Sequence, residues 1–309
     1  MSYIALSVAL AIAAQSGAPQ AACDMTVGFQ QPDQGGATTL AVWEDAGQTG
    51  LLFGDVLHVN TDGTKRSYDV GDFWGETRAL NNLCNAMSDA CAGLSSTQLR
   101  DRRILTQKAR ADGWPAAALA KTKISASIIP MKNNKPCPEV DGYLVSATAL
   151  HVPNMSDACD LANYVDALST PALVLPKRAK NAPPTPFEAR KAGVGDLAVV
   201  VSADGKRRVF AVIGDKGPAK ELGEGSIALA GALLGKTAQP ANYREVRGKA
   251  PYGGQGWDAK GIVLIFPGSA DPKAPYMTKA RIDVAAGALF ETWGGAARLE
   301  ACRLAYKPK

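Results

Sequence analysis

Val209–Ala230 reads VFAVIGDKGPAKELGEGSIALA. Val209 to Ile213 is an apolar run short enough to be a buried strand. Gly214 ends the run and Asp215 follows at once. The next segment carries Gly217 and Pro218, which mark a loop. Gly223, Glu224 and Gly225 then lead to Ser226, a favourable N-cap for the helix-like run IALAGALL. The pattern places Asp215 where a strand stops and Glu224 just ahead of a helix, with a loop between them free to fold back. Two carboxyl groups facing one another across a cleft are what hydrolysis of a glycosidic bond requires.

Upstream, GDLAVVVS at Gly195–Ser202 and the run from Arg208 to Ile213 flank Ala203-Asp204-Gly205-Lys206, which predicts a β-hairpin delivering Asp215 at the end of its second strand. PALVLP at Pro171–Pro176 reads as a short buried strand, and KRAKNAPPTPFEARKAG as a surface loop with KRAK as a solvated basic patch. GIVLIFP at Gly261–Pro267 is one more strand, and Pro240 to Asp258 reads as a loop. Thr278 to Trp293 has the spacing of an amphipathic helix, and Ala301 to Tyr306 reads as a last short strand tied back by Cys302. Near the N-terminal side, residues up to about Thr49 look irregular, with QQPDQGG as a loop. Leu51 to Val59 is strand-like, and Asp62-Gly63 is a structural turn before a second short strand. Ala79, Leu80, Leu83, Met87 and Ala90 predict a helix from Glu76 to about Cys91. Ser95 or Ser96 can cap a helix to about Arg110. Ile124 to Met131 and YLVSATAL, opened by Asp141-Gly142, read as strands. Strands this short and numerous, mostly not separated by helices, argue against a doubly wound parallel sheet. The expected fold is a β-rich α+β protein: a mixed or antiparallel β-barrel with peripheral helices, of which a double-psi barrel is one form.

The chain of 309 residues is 46% apolar and 20% charged, enough for a sizeable core. Residues 1–22 read as an export signal, with Tyr3 to Ala14 as an apolar stretch too short to span a bilayer comfortably. The expected location is secreted or periplasmic, with residues 23–309 forming a single domain that has an extension to about residue 50. Six cysteines, Cys23, Cys84, Cys91, Cys137, Cys159 and Cys302, fit three disulfides in an oxidising compartment. Local pairs, Cys84 with Cys91 and Cys137 with Cys159, are the simplest of the fifteen connectivities. With two histidines, His58 and His151, and no CxxC, no metal or other cofactor is implied. The net charge of +5 does not gather into a basic run interleaved with aromatics, which argues against nucleic-acid binding. No membrane span is expected, and the chain is read as a monomer.

GDKGPAKELGEGSIALA resembles the signature of the glycoside hydrolase family 75 chitosanases. In that family a strand-end Gly-Asp leads through a glycine-rich loop to Gly-Glu, a small residue, Ser and an apolar helix. VDGYLVSATAL at Val140–Leu150, NYVDALSTPALVLP at Asn163–Pro176, FPGS at Phe266–Ser269 and WGG at Trp293–Gly295 fit the wider family, over roughly the last two thirds of the chain. The resemblance implies an endo-acting, inverting hydrolase of chitosan-type polysaccharide with catalytic residues Asp215 and Glu224, by analogy the base and the acid. It also implies substrate-side roles for Asp141, Ser146 and Thr148. Ile213 stands where fungal members usually carry Trp, so Tyr252 and Trp257, beside the GGQG loop, are the candidate stacking residues. Two physical points press on this reading. A helix N-terminus favours an ionised carboxylate, so Glu224 needs burial or the charge of Asp215 to stay protonated. Lys216 and Lys220 share the loop with the carboxylates, so a less cationic polymer such as partly acetylated chitosan or a cell-wall glycan is repelled less. The competing class is a non-catalytic glycan-binding or cell-envelope protein of the same fold.

Overall fold

A computed structural model describes residues 22–306. The expected export signal lies outside the described residues except for Ala22. The strands are β1 (Thr26–Asp33), β2 (Thr38–Glu44), β3 (Leu51–Asn60), β4 (Met131–Lys132), β5 (Lys135–Pro136), β6 (Ala172–Pro176), β7 (Leu197–Ser202), β8 (Arg208–Gly217), β9 (Glu224–Ser226) and β10 (Ala259–Phe266). The helices are α1 (Ser96–Ala111), α2 (Ala116–Thr122), α3 (Pro186–Ala189), α4 (Ile227–Leu234), α5 (Tyr243–Val246), α6 (Lys279–Trp293) and α7 (Gly295–Ala305). Strand pairing runs β3-β10-β7-β8-β6-β9 and returns to β3, so six strands close a barrel, as the density of short strands predicts. β3 with β9 and β6 with β8 are parallel; the other barrel pairs are antiparallel.

The apolar runs are continuous because both faces of the strands are buried. Ala198, Val200, Val263 and Ile265 enter one cluster with Phe53, Leu173, Ile213, Leu229 and Leu233. The alternating residues Val199, Val201, Ile262 and Leu264 pack instead with Ile282, Ala286, Phe290 and Leu299 of α6 and α7. α4 touches all six barrel strands and so closes one end of the barrel. The β7–β8 hairpin forms as expected.

Several local expectations change. The N-terminal segment is ordered as the hairpin β1–β2, paired onto β3; its polar, half-exposed side chains hide the strand pattern. Residues 301–305 are helical: Leu299, Glu300 and Ala301 are good helix formers, and the chain breaks at Gly294 instead. The helix expected over Glu76–Cys91 is a turn-rich segment with only a 3-10 turn at Leu83–Ala86, because Asp72 accepts the backbone N–H groups of Glu76, Thr77, Arg78 and Ala79. Ile124–Met131 is not a strand apart from Met131, which opens the two-residue β4, and YLVSATAL is not a strand; otherwise they hold isolated bridges, Ile124 to Met87, Tyr143 to Val140 and Leu144 to Tyr68. No strand follows Asp62-Gly63 either. α1 begins as its cap predicts, with Ser95 and Gln98 completing a reciprocal capping box.

Residues 64–145 form a lobe with its own core of Tyr68, Phe73, Leu83, Met87, Ile129 and Leu144. The disulfides are Cys84–Cys91, Cys137–Cys159 and Cys23–Cys302, which fit an oxidising compartment. Among the described residues no helix is long and apolar enough to cross a membrane.

Candidate active site

Two of the barrel's strands flank β6. On one side β8 carries a bulge at Gly214, so Leu173 pairs with Ile213 while Val174 pairs with Asp215. On the other side Val174 pairs with Glu224 of β9. Asp215 and Glu224 therefore stand in register on either side of one residue, with side chains on the same face. Two strand spacings put their backbones about 10 Å apart. Asp215 lies inside β8, which continues to Gly217, and Glu224 lies on β9 between β3 and β6. Ser226 begins α4: its hydroxyl accepts the Leu229 N–H at 3.2 Å and the Ala172 N–H at 2.9 Å and donates to Thr170 O.

The loop joining the two carboxylates is held by the N-terminal hairpin. Gly35 N–H donates to Glu221 Oε1 at 2.7 Å, Leu222 N–H to Asp33 Oδ1 at 3.0 Å, and the Gln31 amide to Ala219 O. The loop closes with Gly223 at φ +79, where a Cβ would stand 2.7 Å from Val56 O.

A cleft of about 690 Å³ opens over these residues. Asp215, Glu224, Lys177 and Lys216 form its barrel side; Asn81, Asn85, Met87, Ser88, Ser127 and Ile128 of the lobe face them. Asp62 lines the cleft as well. The turn expected at Asp62-Gly63 forms: Asp62 N–H donates to Asn60 Oδ1, and Gly63 has φ +86. The sequence signal available was the likeness of Asn60-Thr61-Asp62 to Gly214-Asp215, each an acid near a buried strand's end. Lys177, read as part of a solvated patch, also reaches the cleft, and its backbone N–H donates to Gly217 O at 2.9 Å.

Asp215 Oδ1 accepts the N–H groups of Ala149 at 2.9 Å and Lys216 at 2.8 Å. Burial pushes its carboxyl up to about 6; those N–H groups oppose the shift, the charge of Glu224 adds to it, and Lys177 opposes it. Burial also raises Glu224, tempered by the Asn60 amide, 3.5 Å from Oε2, and by His58. Asp62 is raised well above the usual range by burial and then by the charge of Asp215, with Tyr68 hydrogen bonding opposing and Glu224 adding.

The other predicted residues are placed differently. Thr148 lines the cleft, but its hydroxyl is engaged with Leu150 O and Val165 N–H. Ser146 is buried beneath the Asp62 turn, where its Oγ accepts the Gly63 N–H at 3.0 Å. Asp141 is exposed and pairs with Lys65 at 3.1 Å, outside the cleft lining. Trp257, 3% exposed, packs with Leu80, Ile227 and Ala230, because its indole fills the gap beside α4. Tyr252 is 44% exposed but away from the cleft lining, with its hydroxyl accepting from Asn242. Among the described residues, the only aromatic side chain in the cleft lining is Tyr68, itself buried. Among the described residues no group of three or more His, Cys, Asp or Glu side chains is placed to hold a metal ion.

Comparison with known proteins adds no relative: no family model matches the chain, and no curated protein matches it significantly.

Proposed function

We propose that the chain is an exported, endo-acting glycoside hydrolase that cleaves β-1,4 linkages of chitosan-type amino-sugar polymers with inversion. The observation that carries this reading is the placement of Asp215 and Glu224 in register across Val174 beneath an open cleft. An inverting pair needs about 6.5–9.5 Å between carboxyl groups to admit a water, whereas a retaining pair stands about 5–5.5 Å apart. Carboxylates two strands apart suit the wider spacing. The resemblance to the family 75 signature and the three disulfides support the same reading.

In the mechanism, Glu224 gives its proton to the leaving glycosidic oxygen as the C–O bond breaks. Asp215 takes a proton from the water that attacks the anomeric carbon from the opposite face. Asp215 suits the base because two backbone N–H groups and Lys177 favour its ionised form. Glu224 suits the acid because burial raises it and its charged form has only the long contact from Asn60 and the more distant His58 to stabilise it. Lys177 and Lys216 on the wall favour stretches of polymer that carry acetylated, uncharged sugars. A cell-wall glycan meets the same demand. The absence of an open aromatic platform in the cleft lining favours a second reading, a non-catalytic glycan-binding protein of the cell envelope.

A reducing-end assay on partly acetylated chitosan, chitin oligomers and peptidoglycan tests the reading, with the product anomer followed by NMR. Asp215→Asn and Glu224→Gln should each lower turnover by about 10²–10⁴-fold with the fold retained. Binding of these glycans without any cleavage leaves the second reading.

A further inference from the structure

Among the described residues that line the cleft, Asp62 alone has a buried side-chain oxygen, Oδ1, with no hydrogen-bond partner. A buried carboxylate in that condition is costly, and a neutral carboxylic acid much less so. The charged groups that face it are both acidic: Asp215 from β8 and Glu224 from β9. The Tyr68 hydroxyl hydrogen-bonds to its carboxyl from the lobe, opposing the effect of burial without cancelling it, and Asn60 from β3 holds its backbone. Asp62 and Asp215 also wall a common chamber of about 10 Å³ with Asn60, Thr148 and Ser226 and otherwise apolar walls, close to the space one water needs. The Asp62 backbone is fixed on three counts: its own N–H to Asn60, the next N–H to Ser146, and the left-handed turn at Gly63.

We propose that Asp62 is a positioning residue for Asp215: a neutral acid whose O–H hydrogen-bonds to the Asp215 carboxylate through one water in their common chamber and keeps it ionised and oriented as the base. The role rests on the hydrolase reading, but the link between the two carboxyl groups does not. Asp62 keeps its own proton throughout the cycle. The proton removed from the attacking water goes to Asp215, and the one delivered to the leaving oxygen comes from Glu224. Two acids in one buried site each disfavour the other's ionised form. The two N–H donors on Asp215 decide which one ionises.

The test uses the full chain with ¹³C-labelled aspartate, so that side-chain carboxyl signals are followed by NMR alongside the pH dependence of kcat/KM. In the wild type the Asp62 signal should stay in its protonated position at pH 7 while Asp215 titrates. Asp62→Asn keeps a neutral donor of the same shape. It should leave the Asp215 midpoint within about half a unit of wild type and turnover within about threefold. Asp62→Ala removes the donor and should raise the Asp215 midpoint, and with it the acid limb of the rate profile, by about one unit. A drop in the Asp215 midpoint of a unit or more in Asp62→Asn would mean that Asp62 is charged in the wild type, and would overturn the proposal. Loss of turnover in Asp62→Asn with Asp215 titrating normally would also overturn it, since Asp62 would then transfer a proton itself. A wild type inactive on every glycan sinks the hydrolase reading and leaves the titrations to decide the link. If Asp62→Ala does not fold, the wild-type and Asn titrations decide alone.

Discussion

Asp215 and Glu224 share a single register partner, Val174, and approach it from opposite sides of β6. The bulge at Gly214 makes this so. In a regular ladder without the bulge Val174 would pair with Gly214, and Asp215 would fall opposite Leu175, on the other face of the strand.

The role of Asp215 has a direct signature in pH. As the base it must be ionised, and its carboxyl is held up to about 6. Activity should therefore rise with pH through about 6, measured as kcat/KM on a soluble glycan substrate. A profile that falls through the same pH would make Asp215 the acid and Glu224 the base.

Asp55 carries a prediction about stability. Burial pushes its carboxyl up to about 7, with the charges of Asp33 and Glu221 adding to the shift, and its Oδ2 is buried without a partner. A group whose folded pKa is raised stabilises the fold below its unfolded pKa and loses that contribution as pH climbs through the folded value. For Asp55 the window runs from about 4 to about 7. The full shift would correspond to about 4 kcal/mol, and solvent screening of this half-buried group brings it to about 1–2 kcal/mol. Asp55→Asn should raise the Tm by about 2–5 °C at pH 8 and leave it unchanged at pH 4. Calorimetry at the two pH values checks the sign.

Gly63 holds the turn that presents Asp62. A Cβ there would lie 1.9 Å from Val165 O and 2.7 Å from the Thr148 methyl, at a φ of +86. Gly63→Ala should cost about 2–4 kcal/mol and lower activity as Asp62 moves. Denaturant melts and the reducing-end assay would show both effects, and a wild-type midpoint would refute the turn's importance.

The Cys84–Cys91 bridge closes a short loop whose residues Asn85, Met87, Ser88 and Ala90 line the cleft. Replacing both cysteines by serine should remove about 2 kcal/mol of stability through the looser unfolded chain. On the hydrolase reading it should also raise KM more than it lowers kcat, because this wall would meet the substrate away from the reacting bond. An unchanged KM would take the loop out of substrate binding.

The barrel was legible in the sequence because its strands are buried on both faces, which writes unbroken apolar runs such as LAVVV and IVLIF. Capping chemistry likewise announced α1 and α4. Apart from α1, the lobe was not legible. Its backbone groups are satisfied by side chains such as Asp72 and by turns at Ala90 and Cys91 with positive φ, and none of these leaves a period in the sequence. The helical spacing there is not a helix: Leu83 and Met87 enter the lobe core, while Leu80 packs with Ile227, Ala230 and Trp257 beside α4. Within the site, Asp215 and Glu224 were found through their flanking glycines and Ser226. Asp62 was missed because Asp-Gly is a common turn pair, and only the fold brings it beside the others. The aromatics Tyr252 and Trp257 stood near the right loop in sequence, but packing beside α4 claimed Trp257 and left Tyr252 off the cleft.

Cys23 and Cys302 are joined across 279 positions, so nearly the whole described polypeptide is one covalent ring. Tension applied to the tails outside that ring is borne by a sulfur–sulfur bond and bypasses the barrel. In single-molecule pulling the oxidised protein should yield only its tails. The long extension of an unravelling chain should appear only after a reductant is added.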